Sequence, residues 1–73
     1  SIPLGEAFER YVVEIFDGSE VVRTLTTNEP RATYLQADWL ADGISLPGPL
    51  TIAIYQLSES VGRGYPRKVT IDV

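Results

Sequence analysis

The stretch YVVEIFDG, residues 11–18, decides the fold. Its first six residues are mostly β-branched or aromatic, which is typical of a strand, and the Asp-Gly that ends it is typical of a tight turn. Because alternate residues of a strand point to opposite faces, Tyr11, Val13 and Ile15 lie on one face. We expect that face to be the buried one, because Glu14 on the other face would be costly to take out of water.

A hairpin is predicted from the same stretch, because a second strand-like run, VVRTLT at residues 21–26, follows the Asp-Gly pair. The sequence leaves the loop length open. A two-residue loop would pair Ile15 with Glu20. A four-residue loop would instead form the pairs Phe16–Val21, Ile15–Val22 and Glu14–Arg23. We prefer the four-residue loop, because it sets apolar residues opposite each other and a carboxylate opposite a guanidinium.

Three more strands are predicted, which gives about five in all and no convincing helix. The third run, residues 32–39, alternates less cleanly, and a helix competes with it at residues 35–41. The fourth and fifth strands are residues 50–57 and 68–73. Leu50, Ile52 and Ile54 form the core face of the fourth strand, and Val69, Ile71 and Val73 share one face of the fifth. Short strands separated by turn residues predict an all-β, antiparallel sandwich.

Composition excludes several classes of function. The 73 residues suffice for one domain, and they include no cysteine and no histidine. Without them a disulfide, a thiolate metal ligand and a Ser-His-Asp triad are all impossible within this chain. We therefore expect no enzyme, no cofactor and no metal site. Six basic against ten acidic residues give a net charge of −4, which disfavours nucleic acid and anionic membranes as partners, and no apolar run is long enough for membrane insertion.

The order of the predicted strands resembles the second part of a fibronectin type III domain, an immunoglobulin-like sandwich. On that resemblance, residues 11–16 and 21–26 are similar to strands C and C′, residues 32–39 to strand E, and residues 50–57 and 68–73 to strands F and G. Leu50 stands where a tyrosine usually opens strand F, which departs from the superfamily's pattern. The resemblance implies a sandwich that lacks its first two strands, A and B.

A narrower resemblance rests on short motifs in a fixed order. They are PLGE at 3–6, YVVEI at 11–15 followed by Asp17-Gly18, VRT at 22–24, ADG at 41–43, YQLS at 55–58 and VGRGYP at 61–66. In this order they resemble the C-terminal fibronectin-like region of tail-tip, or host-specificity, proteins of siphovirus-like phages, prophages and gene transfer agents. The resemblance implies a single domain, residues 1–73, from the C-terminal end of a larger protein of the virion tail, or otherwise of an extracellular protein. Its partners would be other domains or subunits of the tail tip and a host surface receptor.

A glycine-rich loop is the first candidate for ligand contact. It is the interaction loop formed by Gly62, Arg63, Gly64, Tyr65 and Pro66. A turn that needs the backbone freedom of glycine explains the same residues and is the commoner case.

A sugar-binding platform is the second candidate. Trp39 and Tyr34 would stack on a sugar, and the carboxylates of Asp38 and Asp42 would accept its hydroxyl groups. Burial in a sandwich core is the commoner use of such aromatic residues. Asp38 and Asp42 alone are too few carboxylates for a calcium site.

Because of the possible sugar platform, a carbohydrate-binding or adhesion module is the alternative to a structural module.

The absence of strands A and B has a physical consequence. An inner face and an edge of the sandwich would be left uncovered, and exposed edges recruit other chains. We therefore expect either a homodimer through an exposed sheet edge or a rearranged small sheet.

Overall fold

The computed structural model describes residues 2–3, 10–58, 62–63 and 66–73. Within them the chain forms seven strands and one short helix. In chain order these are β1 (Ile2–Pro3), β2 (Arg10–Asp17), β3 (Glu20–Thr27), β4 (Arg31–Ala32), α1 (Gln36–Ala41), β5 (Pro49–Ser58), β6 (Gly62–Arg63) and β7 (Arg67–Asp72). Every strand pair is antiparallel, which confirms the predicted all-β, sandwich-like class.

Strands β2 and β5 form the centre of the larger of two sheets. β3 pairs with one side of β2, and β6 and β7 both pair with the far side of β5. The smaller sheet consists of β1 and β4 alone, with two residues in each strand. In the described part of the chain the sandwich is therefore lopsided, with a broad sheet packed against a minimal one.

The core lies on the face of the larger sheet that the sequence predicted. Tyr11, Val13 and Ile15 are fully buried. Across the central strand pair, Val13 lies opposite Ile54 and Ile15 lies opposite Ile52. These residues form one apolar cluster whose other buried members are Leu50, Ile2 and Ala32. The period-2 alternation of β2 and β5 thus creates the buried face directly.

The second layer is completed by a loop segment. Ile2 and Ala32 of the small sheet lie in the core, and Tyr34, Ile44 and Leu46 pack against it. Because β1 and β4 are so short, these three loop residues supply much of the cover that full strands would give.

The β2–β3 hairpin differs from both expected registers. Phe16 pairs with Val21 as preferred, but Asp17 also pairs with Glu20, so the loop is only Gly18 and Ser19. Gly18 has a φ of 63°, a conformation that glycine adopts without strain. The register then shifts, and Ile15 lies opposite Arg23.

The shift is a β-bulge, and it makes the predicted pairs Ile15–Val22 and Glu14–Arg23 wrong. Val22 is the extra residue, and it packs against the core cluster. Because a bulge opposes two residues to one, it turns Val22 and Arg23 toward the same side of the sheet. The hairpin thereby keeps Val22 in the core and aims Arg23 at the second layer.

The expectation of a strand at residues 32–39 is wrong beyond Ala32, and the competing helix forms instead. α1 occupies Gln36–Ala41 and contains good helix formers such as Ala37 and Leu40. It ends in a Schellman motif, in which the Gly43 N–H donates to the Leu40 carbonyl and the Ile44 N–H to the Trp39 carbonyl. The positive φ of Gly43, 76°, permits this ending.

Replacing Ile52 by Val tests the importance of the central core. Ile52 is fully buried, so we expect Ile52→Val to lower the free energy of unfolding by about 1 kcal/mol through the lost methylene. The matched control is Val21→Ala, at a residue that is 45% exposed, and it should change stability by less than about 0.5 kcal/mol. Urea unfolding followed by circular dichroism measures both. If Val21→Ala lowered the free energy of unfolding as much as Ile52→Val does, the core would not be centred on Ile52.

Candidate functional site

A cluster of Arg23, Tyr34 and Asp42 joins the two layers beside the bulge. Arg23 Nε donates to Asp42 Oδ2 at 2.6 Å, and its Nη2 donates to Asp42 Oδ1 at 3.1 Å. The Tyr34 hydroxyl donates to Asp42 Oδ2 at 2.5 Å. Both carboxylate oxygens are therefore occupied, one of them twice. We call this cluster the clasp.

Each member of the clasp comes from a different local structure. The bulge in β3 supplies Arg23, the segment between β4 and α1 supplies Tyr34, and the C-terminal cap of α1 supplies Asp42. A carboxylate at the C-terminal end of a helix opposes the helix dipole, and the Arg23 guanidinium offsets that repulsion. Asp38 lies 3.8 Å from Arg23 Nη1 and is a weaker, more exposed neighbour.

The protonation of these groups follows from their contacts. The hydrogen bonds from Arg23, and next from Tyr34, hold the pKa of Asp42 below its usual value. Burial, and next the bond to Asp42, raises the pKa of the Tyr34 hydroxyl. The bond to Asp42 also raises the pKa of Arg23. All three groups therefore keep their ordinary charge states near neutral pH, and the clasp is an ion pair with a neutral phenol.

This geometry suits a structural tie. The Asp42 side chain is only 8% exposed, and its hydrogen-bonding capacity is directed at Arg23 and Tyr34. A bidentate guanidinium–carboxylate pair fixes the relative orientation of its partners as well as their separation. The clasp therefore locks the end of α1 onto β3.

The two aromatic residues of the predicted sugar platform have different surroundings. Tyr34 packs against the core, and its hydroxyl is held in the clasp. Trp39 is half-buried on α1. Leu35 and Leu40 beside it are each 59% exposed. Of the carboxylates predicted to serve the platform, Asp42 is committed to the clasp. The platform itself stays a prediction.

The predicted interaction loop is described only in part. Gly62 and Arg63 form β6, which pairs with the end of β5. Pro66 is exposed and precedes β7. Gly64 and Tyr65 lie outside the described residues, so the role of this loop stays a prediction.

The two edges of the larger sheet differ in character. β7 exposes Arg67, Lys68 and Asp72, and such charged side chains discourage pairing with another strand. β3 combines two distinct halves. The half at Glu20–Arg23 carries the bulge and an inward-pointing charge, which also protect an edge. The half at residues 24–27, Thr-Leu-Thr-Thr, carries no bulge, charge or proline. We call it the flat half.

An open polar groove adjoins the flat half, and sequence reasoning did not find it. It has a volume of about 520 Å³ and is lined by Arg10, Thr26, Thr27, Asn28 and Glu29. The signal that would have found it is the hairpin register: Tyr11 pairs with Thr27, so one further step brings Arg10 level with Asn28. The bulge gives that register, because without its one-residue shift Arg10 would lie level with Thr27.

The described residues form neither a metal-binding cluster of acidic side chains nor a membrane-spanning helix. They contain no group of three or more acidic side chains placed to hold a metal ion. None of their helices is long and apolar enough to cross a membrane.

No protein-family model, curated protein or solved structure matches the chain.

Replacing Asp42 by Asn tests the clasp through the pH dependence of stability. The folded-state pKa of Asp42 is depressed, so its contribution is present above the unfolded pKa of about 3.9 and is lost as pH falls through the folded value. We expect Asp42→Asn to be less stable than the parent chain at neutral pH. The difference in the free energy of unfolding between Asp42→Asn and the parent chain should become smaller as both proteins are taken to about pH 2.

The control is Asp38→Asn, because Asp38 is 39% exposed and forms only a long ion pair with Arg23, at 3.8 Å. Urea midpoints across the pH range measure how far each variant differs in stability from the parent chain. A difference for Asp42→Asn that is constant with pH, or that equals the difference for Asp38→Asn, would show that the clasp contributes no charge-dependent stability.

Proposed function

We propose that the chain is a non-catalytic structural and interaction module that associates with other polypeptides through the flat half of β3. We further propose that it serves as a fibronectin-like unit of a phage-like tail-tip or host-specificity protein. The observation that carries the first part is the edge itself. In the described part of the chain β3 pairs only with β2, so one row of its backbone N–H and C=O groups faces away from the sheet.

The flat half suits association with a second copy. An antiparallel pair centred on Thr26 would oppose Thr26 to its own counterpart and Thr24 to Asn28 of the other copy. Thr24, Thr26 and Asn28 are all exposed. Cross-strand threonine pairs stabilise sheets, and no like charges meet in this register. The contact would be isologous, as the interfaces of most homodimers are.

The strand order supports the fibronectin-like part of the proposal. The sheet runs β3, β2, β5 and then β7, which is the order C′, C, F, G of the sheet that carries those strands in immunoglobulin-like sandwiches. β4 leaves this sheet for the opposite one, as the strand that follows C′ in a fibronectin-like order would do. The tail-tip assignment rests on the sequence motifs alone.

The carbohydrate-binding alternative has less support from the geometry. A platform needs free hydrogen-bonding groups beside its aromatic faces, and the Tyr34 hydroxyl and the Asp42 carboxylate are bonded to each other. Trp39 and Asp38 would have to bind the sugar without them.

A lysine in the flat half tests association through the edge. Thr26→Lys places like charges opposite each other across the proposed two-fold axis, so we expect it to lower the molar mass at high concentration from dimer toward monomer. Thr33→Lys is the matched control, since it makes the same change at an exposed position outside the sheets. Size-exclusion chromatography with light scattering measures the mass. A parent chain that stays monomeric at millimolar concentration would contradict self-pairing of the edge.

Immunogold labelling tests the tail-tip assignment. An antibody raised against this chain is applied to phage-like particles purified from a culture of the source organism and viewed by electron microscopy. We expect gold at the distal end of the tail. Particles that carry the antigen elsewhere, or lack it while the cells contain it, would contradict the assignment. Antibody preabsorbed with the pure chain is the control.

A further inference from the structure

The groove beside the flat half contains a cation and an anion that form no ion pair within the described residues. Arg10 and Glu29 both line it, and both are exposed. The ion pairs in the described part of the chain all involve Arg23, so neither Arg10 nor Glu29 takes part in one. The groove therefore offers its charges to a ligand.

The other described residues of the lining carry hydrogen-bonding groups. Thr26 and Asn28 are exposed, and Thr27 is half-buried. The Thr27 hydroxyl oxygen accepts a hydrogen bond from the Glu29 N–H at 3.2 Å, which fixes the turn that carries Glu29. This bond holds Glu29 on the turn that follows β3. Arg10 lies on the neighbouring strand, β2, so the two charges come from different sides of the groove.

We propose that the groove recognises an acidic side chain on an extended segment that pairs with the flat half of β3. This rests on the proposed association of the flat half with other polypeptides, and it names the chemistry of a partner that takes the place of a second copy, whose Thr24 would otherwise lie opposite Asn28. The partner is a polypeptide strand that brings one carboxylate level with Asn28, where it binds the guanidinium of Arg10.

The spacing of strands makes this contact reachable. Neighbouring strands lie about 4.8 Å apart, so a strand added beside β3 lies about 10 Å from β2. An arginine on β2 and a glutamate on the added strand, both on the same face, span that distance by meeting above Asn28. A guanidinium and a carboxylate form paired, directional hydrogen bonds, so the contact would also select the register of the added strand.

Charge explains why a single acidic residue is preferred over an acidic segment. The chain carries a net charge of −4, so a highly acidic partner is repelled overall. Glu29 adds a local carboxylate to the groove itself. A partner strand avoids both repulsions if it places one carboxylate at Arg10 and has uncharged residues along the rest of the flat half.

The register defines a probe. In an antiparallel pairing, the capped pentapeptide acetyl-EVTVT-amide places its Glu opposite Asn28 and its two Thr residues opposite Thr26 and Thr24. Its Val residues fall opposite Thr27 and Leu25 on the inner face. Capping removes the terminal charges, and acetyl-QVTVT-amide is the matched neutral probe.

Titration of each peptide into the ¹⁵N-labelled chain, followed by NMR, tests the proposal. We expect the Glu peptide to shift the amides of residues 24–29 and to bind more tightly than the Gln peptide. Arg10→Gln should weaken the Glu peptide about two- to fivefold and leave the Gln peptide unchanged. Glu29→Gln should tighten binding of the Glu peptide. Arg67→Gln, on the opposite edge of the sheet, is the control and should change neither.

The outcomes separate this proposal from the proposed function. If both peptides bind residues 24–27 equally and Arg10→Gln has no effect, the acidic preference is overturned and pairing at the edge stands. If neither peptide shifts these amides at millimolar concentration, or if the shifts fall on β7, the recognition site is overturned. The light-scattering comparison of Thr26→Lys with Thr33→Lys then decides independently whether the edge associates at all.

Discussion

The pairing of β2 with β5 is the constraint on which the rest of the structure depends. It brings Val13 opposite Ile54 and Ile15 opposite Ile52, and all four side chains are buried. Val12 and Ala53 on the other face are buried as well. Strands that bury residues on both faces belong at the centre of a sheet. Once they occupy it, β3 and β7 can only be edges, and the small sheet can only lie over the inner face.

The lopsided second layer explains the need for the clasp. α1 has six residues and buries none of them, so neither its length nor its packing would keep it folded in isolation. Its C-terminal end is held by the Schellman motif, by Ile44 in the core and by the bond from Arg23 to Asp42. The bulge that supplies Arg23 also protects half of the β3 edge. One irregularity in the hairpin therefore both secures the cover of the core and leaves the flat half as the open part of the edge.

Features of the fold that depend on neighbouring residues could be predicted from the sequence, and features that depend on contacts between distant residues could not. The period-2 pattern of residues 11–16 and 50–57 is local, and it predicted the two central strands and their buried faces. The bulge was not predictable, because it serves a bond between Arg23 and Asp42, which are 19 residues apart. The choice between a strand at residues 32–39 and a helix at residues 35–41 was not predictable from local pattern. The helix ending depends on Gly43 and on the packing of Ile44 against the core. The groove was missed because it exists only in the observed register, which joins Arg10 to Asn28 and Glu29.

A small core and an open edge are physically related in a module of this kind. A domain of 73 residues buries a modest fraction of its surface and is marginally stable alone. Any strand that pairs with the native edge but not with the unfolded chain stabilises the fold by mass action. In the proposed tail tip, neighbouring subunits would be held close, and a high effective concentration makes even a weak edge contact effective. The same edge in an unassembled chain would be a liability, because exposed edges recruit other chains. The bulge and the charged side chains of β7 would limit pairing to the flat half, where the proposed role of Arg10 is to select the strand that joins.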